Sequence, residues 1–232
     1  MRKTLVGFTT TVVAIVALAT ASPASAAVTQ TLALYNMNEA PGSTVLVDDS
    51  GNGYNGTIGT SIIQDGAEHT FPWHNGAAGG SVDLQHLDLV PNSALNPGTR
   101  DYSVTMRLKF TLAVGNVLNL GQSGGVGGMV KFQLDDKGGR IACQFVGSLG
   151  SATVTSPSVI NDGTWHVVTC ARTATQLQMT LDGAVVSTSK HATGTIAPRL
   201  PLSIGGKSQC SPPTVDCDYY TGQIDYVQIQ SS

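Results

Sequence analysis

Residues 161–189 constrain the fold of this chain more than any other stretch. They read Asn-Asp-Gly-Thr-Trp-His-Val-Val-Thr-Cys-Ala-Arg-Thr-Ala-Thr-Gln-Leu-Gln-Met-Thr-Leu-Asp-Gly-Ala-Val-Val-Ser-Thr-Ser. Leu177, Met179 and Leu181 alternate with Gln178, Thr180 and Asp182, the period of two that marks a strand with one buried face. Asp182-Gly183 supplies two residues that tolerate the positive φ of a tight hairpin. The segment therefore reads as a turn followed by three antiparallel strands. Within it Trp165 and Val167 share a face and are expected in the core. His166 falls on the other face with Val168 and Cys170, and reads as a structural or surface histidine rather than a catalyst.

The same pattern of short β-branched and alternating runs recurs at 31–39, 81–90, 102–111, 116–120, 128–134, 140–146, 202–204 and 223–229. The 27 glycines separate these runs with turns, and the mature chain has no long apolar stripe at helical spacing. Many short antiparallel strands bury their apolar faces most simply as two packed sheets, so the expected class is all-β.

The first residues read differently. Arg2 and Lys3 precede an apolar run over 5–19, and Ala24-Ser25-Ala26 offers a small-residue cleavage site. This is the pattern of an export signal, giving residues 1–26 as signal and 27–232 as one domain, with cleavage after Ala26 or Ala27. A secreted, extracellular protein is expected, with no membrane span. Losing Arg2 and Lys3 takes the net charge from −3 to −5, and only 12% of residues are charged. No basic stripe serves nucleic acid and no basic amphipathic helix serves a membrane surface. A monomer is expected.

Four cysteines in an exported chain read as two disulfides, for which three pairings exist. The expected pairing is Cys143–Cys170, facing each other across neighbouring strands, and Cys210–Cys217, closing the loop Ser-Pro-Pro-Thr-Val-Asp. The spacing offers no CxxC pair for zinc.

Several segments resemble the laminin-G-like domains of the concanavalin A-like jelly-roll superfamily. They are Leu34-Tyr35-Asn36-Met37-Asn38-Glu39, Asp49-Ser50-Gly51-Asn52-Gly53-Tyr54-Asn55-Gly56-Thr57, Asp162-Gly163-Thr164-Trp165-His166-Val167-Val168, Leu181-Asp182-Gly183, Leu202-Ser203-Ile204-Gly205-Gly206 and Gly222-Gln223-Ile224-Asp225-Tyr226-Val227. The cysteine positions resemble a secreted actinobacterial subgroup. The resemblance implies an antiparallel jelly-roll sandwich of two curved sheets, often with one calcium, that binds rather than catalyses. It spans ligands from glycans to proteins.

Two acids sit at the ends of apolar rows. Tyr35, Met37 and Glu39 share a face in the first strand, and Asp225, Val227 and Ile229 share one in the last. Ionised carboxylates are costly to bury without partners, and Ca²⁺ takes six to eight oxygens in irregular loops. Glu39, Asp49, Asn52 and Asp225 form the expected calcium ligand set. The competing assignment has Asp49 and Asn52 capping turns while Glu39 and Asp225 accept backbone N–H groups.

Phe71, Trp73, Tyr219 and Tyr220 fall in loop-like contexts. Trp73 with His74 is the expected aromatic platform for a sugar, and Tyr219 and Tyr220 complete the expected ligand-binding set. Catalytic patterns are missing. Retaining glycoside hydrolysis needs two carboxylates about 5–5.5 Å apart, as alternating positions of one strand provide, and Asp135-Asp136 are consecutive and point to opposite faces. The sequence thus suggests a non-enzymatic binding module for a glycan or cell-surface glycoconjugate. The alternatives are an extracellular adhesion or protein-interaction domain and, last, a polysaccharide-cleaving enzyme of the same fold.

Overall fold

The computed structural model describes residues 29–72, 82–83, 93–112, 115–134, 138–208 and 218–232. In chain order the strands are β1 (Gln30–Tyr35), β2 (Val45–Leu46), β3 (Gly56–Thr57), β4 (Ile63–Gln64), β5 (His69–Phe71), β6 (Val82–Asp83), β7 (Tyr102–Lys109) and β8 (Asn116–Gly121). They continue as β9 (Met129–Leu134), β10 (Ile141–Gly147), β11 (Gly150–Thr155), β12 (His166–Arg172), β13 (Leu177–Leu181), β14 (Ala184–Ser189), β15 (Leu202–Ile204) and β16 (Gly222–Ser231). Among the described residues there is no helix, and every strand pair is antiparallel.

The strands form two sheets. The first runs β14-β13-β12-β7-β16-β5-β4, with β1 also paired to β16; the second runs β11-β10-β9-β8-β15-β6-β3-β2. Each sheet lays one apolar face against the other, because alternate residues of each strand point inward. Val104, Met106 and Leu108 of β7, Val168 of β12 and Val227 and Ile229 of β16 meet Leu118, Val130, Phe132, Ile141 and Phe145 of the second sheet in one core. This is the two-sheet all-β sandwich expected from the alternation.

The 161–189 segment forms β12, β13 and β14 as read, and its turn residues Asp182 and Gly183 have φ of 49° and 84°. The face assignment within β12 is reversed, however. Val168 and Cys170 are fully buried, opposite Met106 and Val104 of β7. Trp165 lies half-buried on the outer face, where the Arg107 guanidinium stands 4.6 Å and the Lys109 ammonium 4.7 Å from its ring centroid. The alternation shows which residues share a face. It does not show which face is inside, and two cations here satisfy the indole where the core does not.

The disulfide joins the expected cysteines but not neighbouring strands. Cys143 and Cys170 are bonded, as expected. Their strands are not neighbours: β10 pairs with β9 and β11, and β12 with β7 and β13. The bond crosses the interior from one sheet to the other. Cys210 and Cys217 lie outside the described residues. Near one end, Arg172 is buried and donates to the carbonyls of Gly194 (2.7 Å), Gly98 (3.3 Å) and Arg100, tying two loops to β12.

Candidate functional site

The four residues expected to share a calcium have four separate sets of partners. Glu39 Oε2 faces the ring Nε2 of fully buried His69 at 2.9 Å, and its Oε1 accepts the Val47 N–H at 2.8 Å. Burial raises the Glu39 pKa, and His69 with the Val47 N–H outweighs it, so the carboxyl titrates below its usual range. Asp49 accepts a bond from the Asn36 amide at 2.8 Å. Asn52 spends its amide N–H groups on the carbonyls of Thr31 and Leu32, at 3.0 and 2.9 Å.

Asp225 is drawn elsewhere by a register shift in β16. Ile224 pairs with Leu108 and Tyr226 with Arg107, so Asp225 is the extra residue of a bulge. The bulge turns it outward, away from Val227 and Ile229, into an ion pair with Arg107 at 2.5 Å. The four oxygen-bearing side chains therefore do not fit one calcium as placed. Among the described residues no group of three or more His, Cys, Asp or Glu is placed to hold a metal ion.

The acid that organises this region is the neighbour that the sequence reading passed over. Asp48 is buried, and its two oxygens accept the backbone N–H groups of Leu34 (3.0 Å), Ser50 (3.0 Å) and Tyr54 (2.9 Å). It fastens the 48–54 turn to β1.

The expected ligand-binding aromatics divide. Trp73 and His74 lie outside the described residues. Tyr220 is not a platform: it is fully buried, edge-on to Phe71 and Phe110 at centroid distances of 5.6 and 6.1 Å. Its hydroxyl donates to the carbonyls of Lys109 and Gln223. Tyr219 is half-buried and bridges in parallel to Asn116 at the start of β8.

That bridge forms the wall of a cleft of about 330 Å³ on the outer face of the second sheet. The cleft has a low point and a rim. Ala142 of β10 is the low point, set directly between Gln133 of β9 and Thr155 of β11 in the cross-strand register. Lys131 and Thr153, one step along the same faces, and Asn116 of β8 extend the rim. Asp218 closes the wall; its carboxylate accepts from the Asn116 amide at 3.2 Å and pairs with the Lys207 ammonium. Gly115 admits this wall because a Cβ there would lie 2.2 Å from the Tyr219 carbonyl oxygen.

Chemically, the cleft offers amide and hydroxyl groups held on strands, which position them more rigidly than loops do. Among its lining residues Asp218 is the one carboxylate, and it is already engaged by Lys207 and Asn116. A pair of acids of the kind that cleaves glycosidic bonds is not assembled there. No signal in any one strand marks the cleft, because Gln133, Ala142 and Thr155 each read as ordinary outward positions.

Comparisons with known proteins agree with this architecture. The laminin-G-type profile of the family described as the concanavalin A-like lectin/glucanases superfamily matches residues 79–232. No curated protein matches the sequence. The fold is similar to domain 4 of AbnA, a GH43 extracellular arabinanase from Geobacillus stearothermophilus, solved in complex with arabinotriose. The TM-score is 0.61 at 17% identity, over 88% of this chain and 93% of that one. It is similar to the binding domain of botulinum neurotoxin DC in complex with SialylT, with TM-score 0.52 and 12% identity over 87% and 46% of the two chains. Domains LG4-5 of the mouse laminin alpha1 chain give TM-score 0.48 and 19% identity over 66% of this chain, which spans 40% of the laminin chain. Identities this low bear on the fold alone.

Proposed function

Taking as premise that this chain belongs to the concanavalin A-like lectin/glucanases superfamily, we propose that it is a secreted, non-catalytic carbohydrate-binding domain. The observation that carries this reading is the cleft over Ala142. A sugar ring presents many hydroxyls and few charges, and its recognition calls for fixed amide and hydroxyl partners around a depression of matching size. Gln133, Thr153, Thr155 and Asn116 supply those partners, and about 330 Å³ lies at the small end of ligand-site volumes. The solved complex of the similar arabinanase domain with arabinotriose supports the ligand class, and the disulfide between the sheets supports an oxidising, extracellular setting.

The test is retention of the purified protein in native gels cast with arabinan, galactan, xylan, mannan or soluble cellulose derivatives, alongside pull-down on insoluble chitin and cellulose. Retardation by at least one polysaccharide is expected, without release of reducing ends. Free migration through the whole panel would overturn the reading. Export is tested by N-terminal sequencing of the protein recovered from culture medium, which is expected to begin at Ala27 or Val28.

A second reading, a protein-interaction domain, is favoured by the exposure of Val45 on β2 and Ile63 on β4, the end strands of the two sheets. Capture of a cell-surface protein that is lost on Val45→Thr with Ile63→Thr, and is indifferent to Ala142→Leu, would place function there instead.

A further inference from the structure

The outer face of the first sheet carries a second depression whose chemistry repeats that of the first. Thr70 of β5, Gln223 of β16 and Lys109 of β7 are direct neighbours in the cross-strand register. Together with Thr111, Pro72 and Gly222 they line a groove of about 330 Å³. Its residues are wholly different from those of the Ala142 cleft, and the two lie on different sheets.

The parallel is specific. In each place a glutamine amide and a threonine hydroxyl face outward from nearby strands: Gln133 of β9 and Thr155 of β11 flank Ala142 of the strand between them, and Gln223 of β16 pairs directly with Thr70 of β5. Each site has one lysine, Lys131 or Lys109, the latter with its ammonium 4.7 Å from the Trp165 ring centroid. Gly222 cannot be larger, since a Cβ there would fall 2.4 Å from the Tyr220 hydroxyl and 2.6 Å from the Lys109 carbonyl oxygen. The second groove is the more apolar of the two, with Pro72 in its lining, which suits the C–H face of a sugar. Glu68 accepts the Gln223 amide and holds it in place. A groove of about 330 Å³ is sized for a small molecule.

We infer that this domain has two carbohydrate sites, one on each sheet, and that the Thr70–Gln223–Lys109 groove takes a neutral sugar unit as the Ala142 cleft does. The inference rests on the proposed carbohydrate function and extends it from binding one chain to bridging two. Two sites on one rigid body convert modest single-site affinity into avidity on a polymer and allow one molecule to cross-link polymer chains.

Arabinotriose, galactotriose and cellotriose are titrated calorimetrically into four proteins: wild type, Ala142→Leu, Thr70→Val with Gln223→Leu, and the combination. Melting curves confirm that each is folded. For a trisaccharide that binds, two sites per wild-type chain are expected, one in each single-site variant and none in the combination. Light scattering with branched arabinan is expected to rise for wild type and to stay flat for single-site variants that still bind. One site in wild type, or Ala142→Leu alone removing all binding, overturns the second site and leaves the carbohydrate function standing. No binding of any trisaccharide or of the polysaccharide panel by wild type overturns both.

Discussion

Cys143 in one sheet is bonded to Cys170 in the other, with their Cα atoms 6.5 Å apart and a sequence separation of 27. The bond removes freedom from the unfolded chain that no packing contact can remove. On loop entropy it stabilises the fold by about 3.5 kcal/mol. Replacing both cysteines by alanine is expected to lower the melting temperature by about 10 °C for a chain of this size. Calorimetry of the double variant checks this; an unchanged melting temperature would show that the core alone locks the sheets.

Asp48 concentrates more backbone bonding than any other acid among the described residues. Burial raises its pKa, and the N–H groups of Leu34, Ser50 and Tyr54 outweigh burial, so it titrates below the usual carboxylate range. Asp48→Ala leaves those donors without their acceptor and is expected to cost about 3 kcal/mol in denaturant unfolding. A depressed carboxylate stabilises above its unfolded pKa of about 3.9 and loses that contribution as pH falls through the folded value. The wild type is therefore expected to lose stability below pH ~4 more steeply than Asp48→Asn.

His166 has a carboxylate at each ring nitrogen, Asp182 at 2.7 Å and Asp162 at 3.3 Å. Burial lowers its pKa, but the two acids outweigh burial and the ring titrates above its ordinary value. A histidine raised on folding contributes its full stability below its unfolded pKa of about 6.5, and loses it as pH rises through the folded value. Stability is expected to decline from pH ~6 towards pH ~8 in the wild type and to be flatter in His166→Gln. Parallel slopes in urea titrations across that range would refute the assignment.

At the Ala142 cleft, filling and emptying should act alike on binding. Ala142→Leu occupies the depression, and Gln133→Ala removes one hydrogen-bonding partner. The first is expected to abolish retardation by the bound polysaccharide. The second should weaken it about tenfold, the value of one well-made hydrogen bond. Both positions face outward, so melting temperatures should stay within about 2 °C of wild type. Loss of binding accompanied by a large drop in melting temperature would point to unfolding instead.

Much of the scaffold was legible because period-two alternation is local. The runs at 102–111, 128–134 and 177–181 became β7, β9 and β13, and Leu177, Met179 and Leu181 share the buried face as their alternation requires. Which face points inward was less legible: Trp165 and Val168 compete for the core, and the sheet opposite decides between them. The bulge at Asp225 inserts one residue and cancels the parity on which a shared face with Val227 depended. The cross-sheet disulfide was readable as a pair, yet not as a bridge between layers, because that requires knowing that β11 intervenes. The cleft was hidden for a different reason. Asn116, Gln133, Ala142, Thr155 and Asp218 come from five separate segments, and only the strand order assembles them.

The pairing of Gln30 with Ser231 brings the first and last strands side by side in one sheet, while the Ala142 cleft opens on the other. Anything attached beyond either strand, such as a linker, a fluorophore or a support, leaves from the same neighbourhood and leaves the cleft face clear. The domain can thus be immobilised through a tag placed directly before β1 or directly after β16 with the same presentation of that face, so sensor surfaces prepared in the two orientations should report one affinity for it.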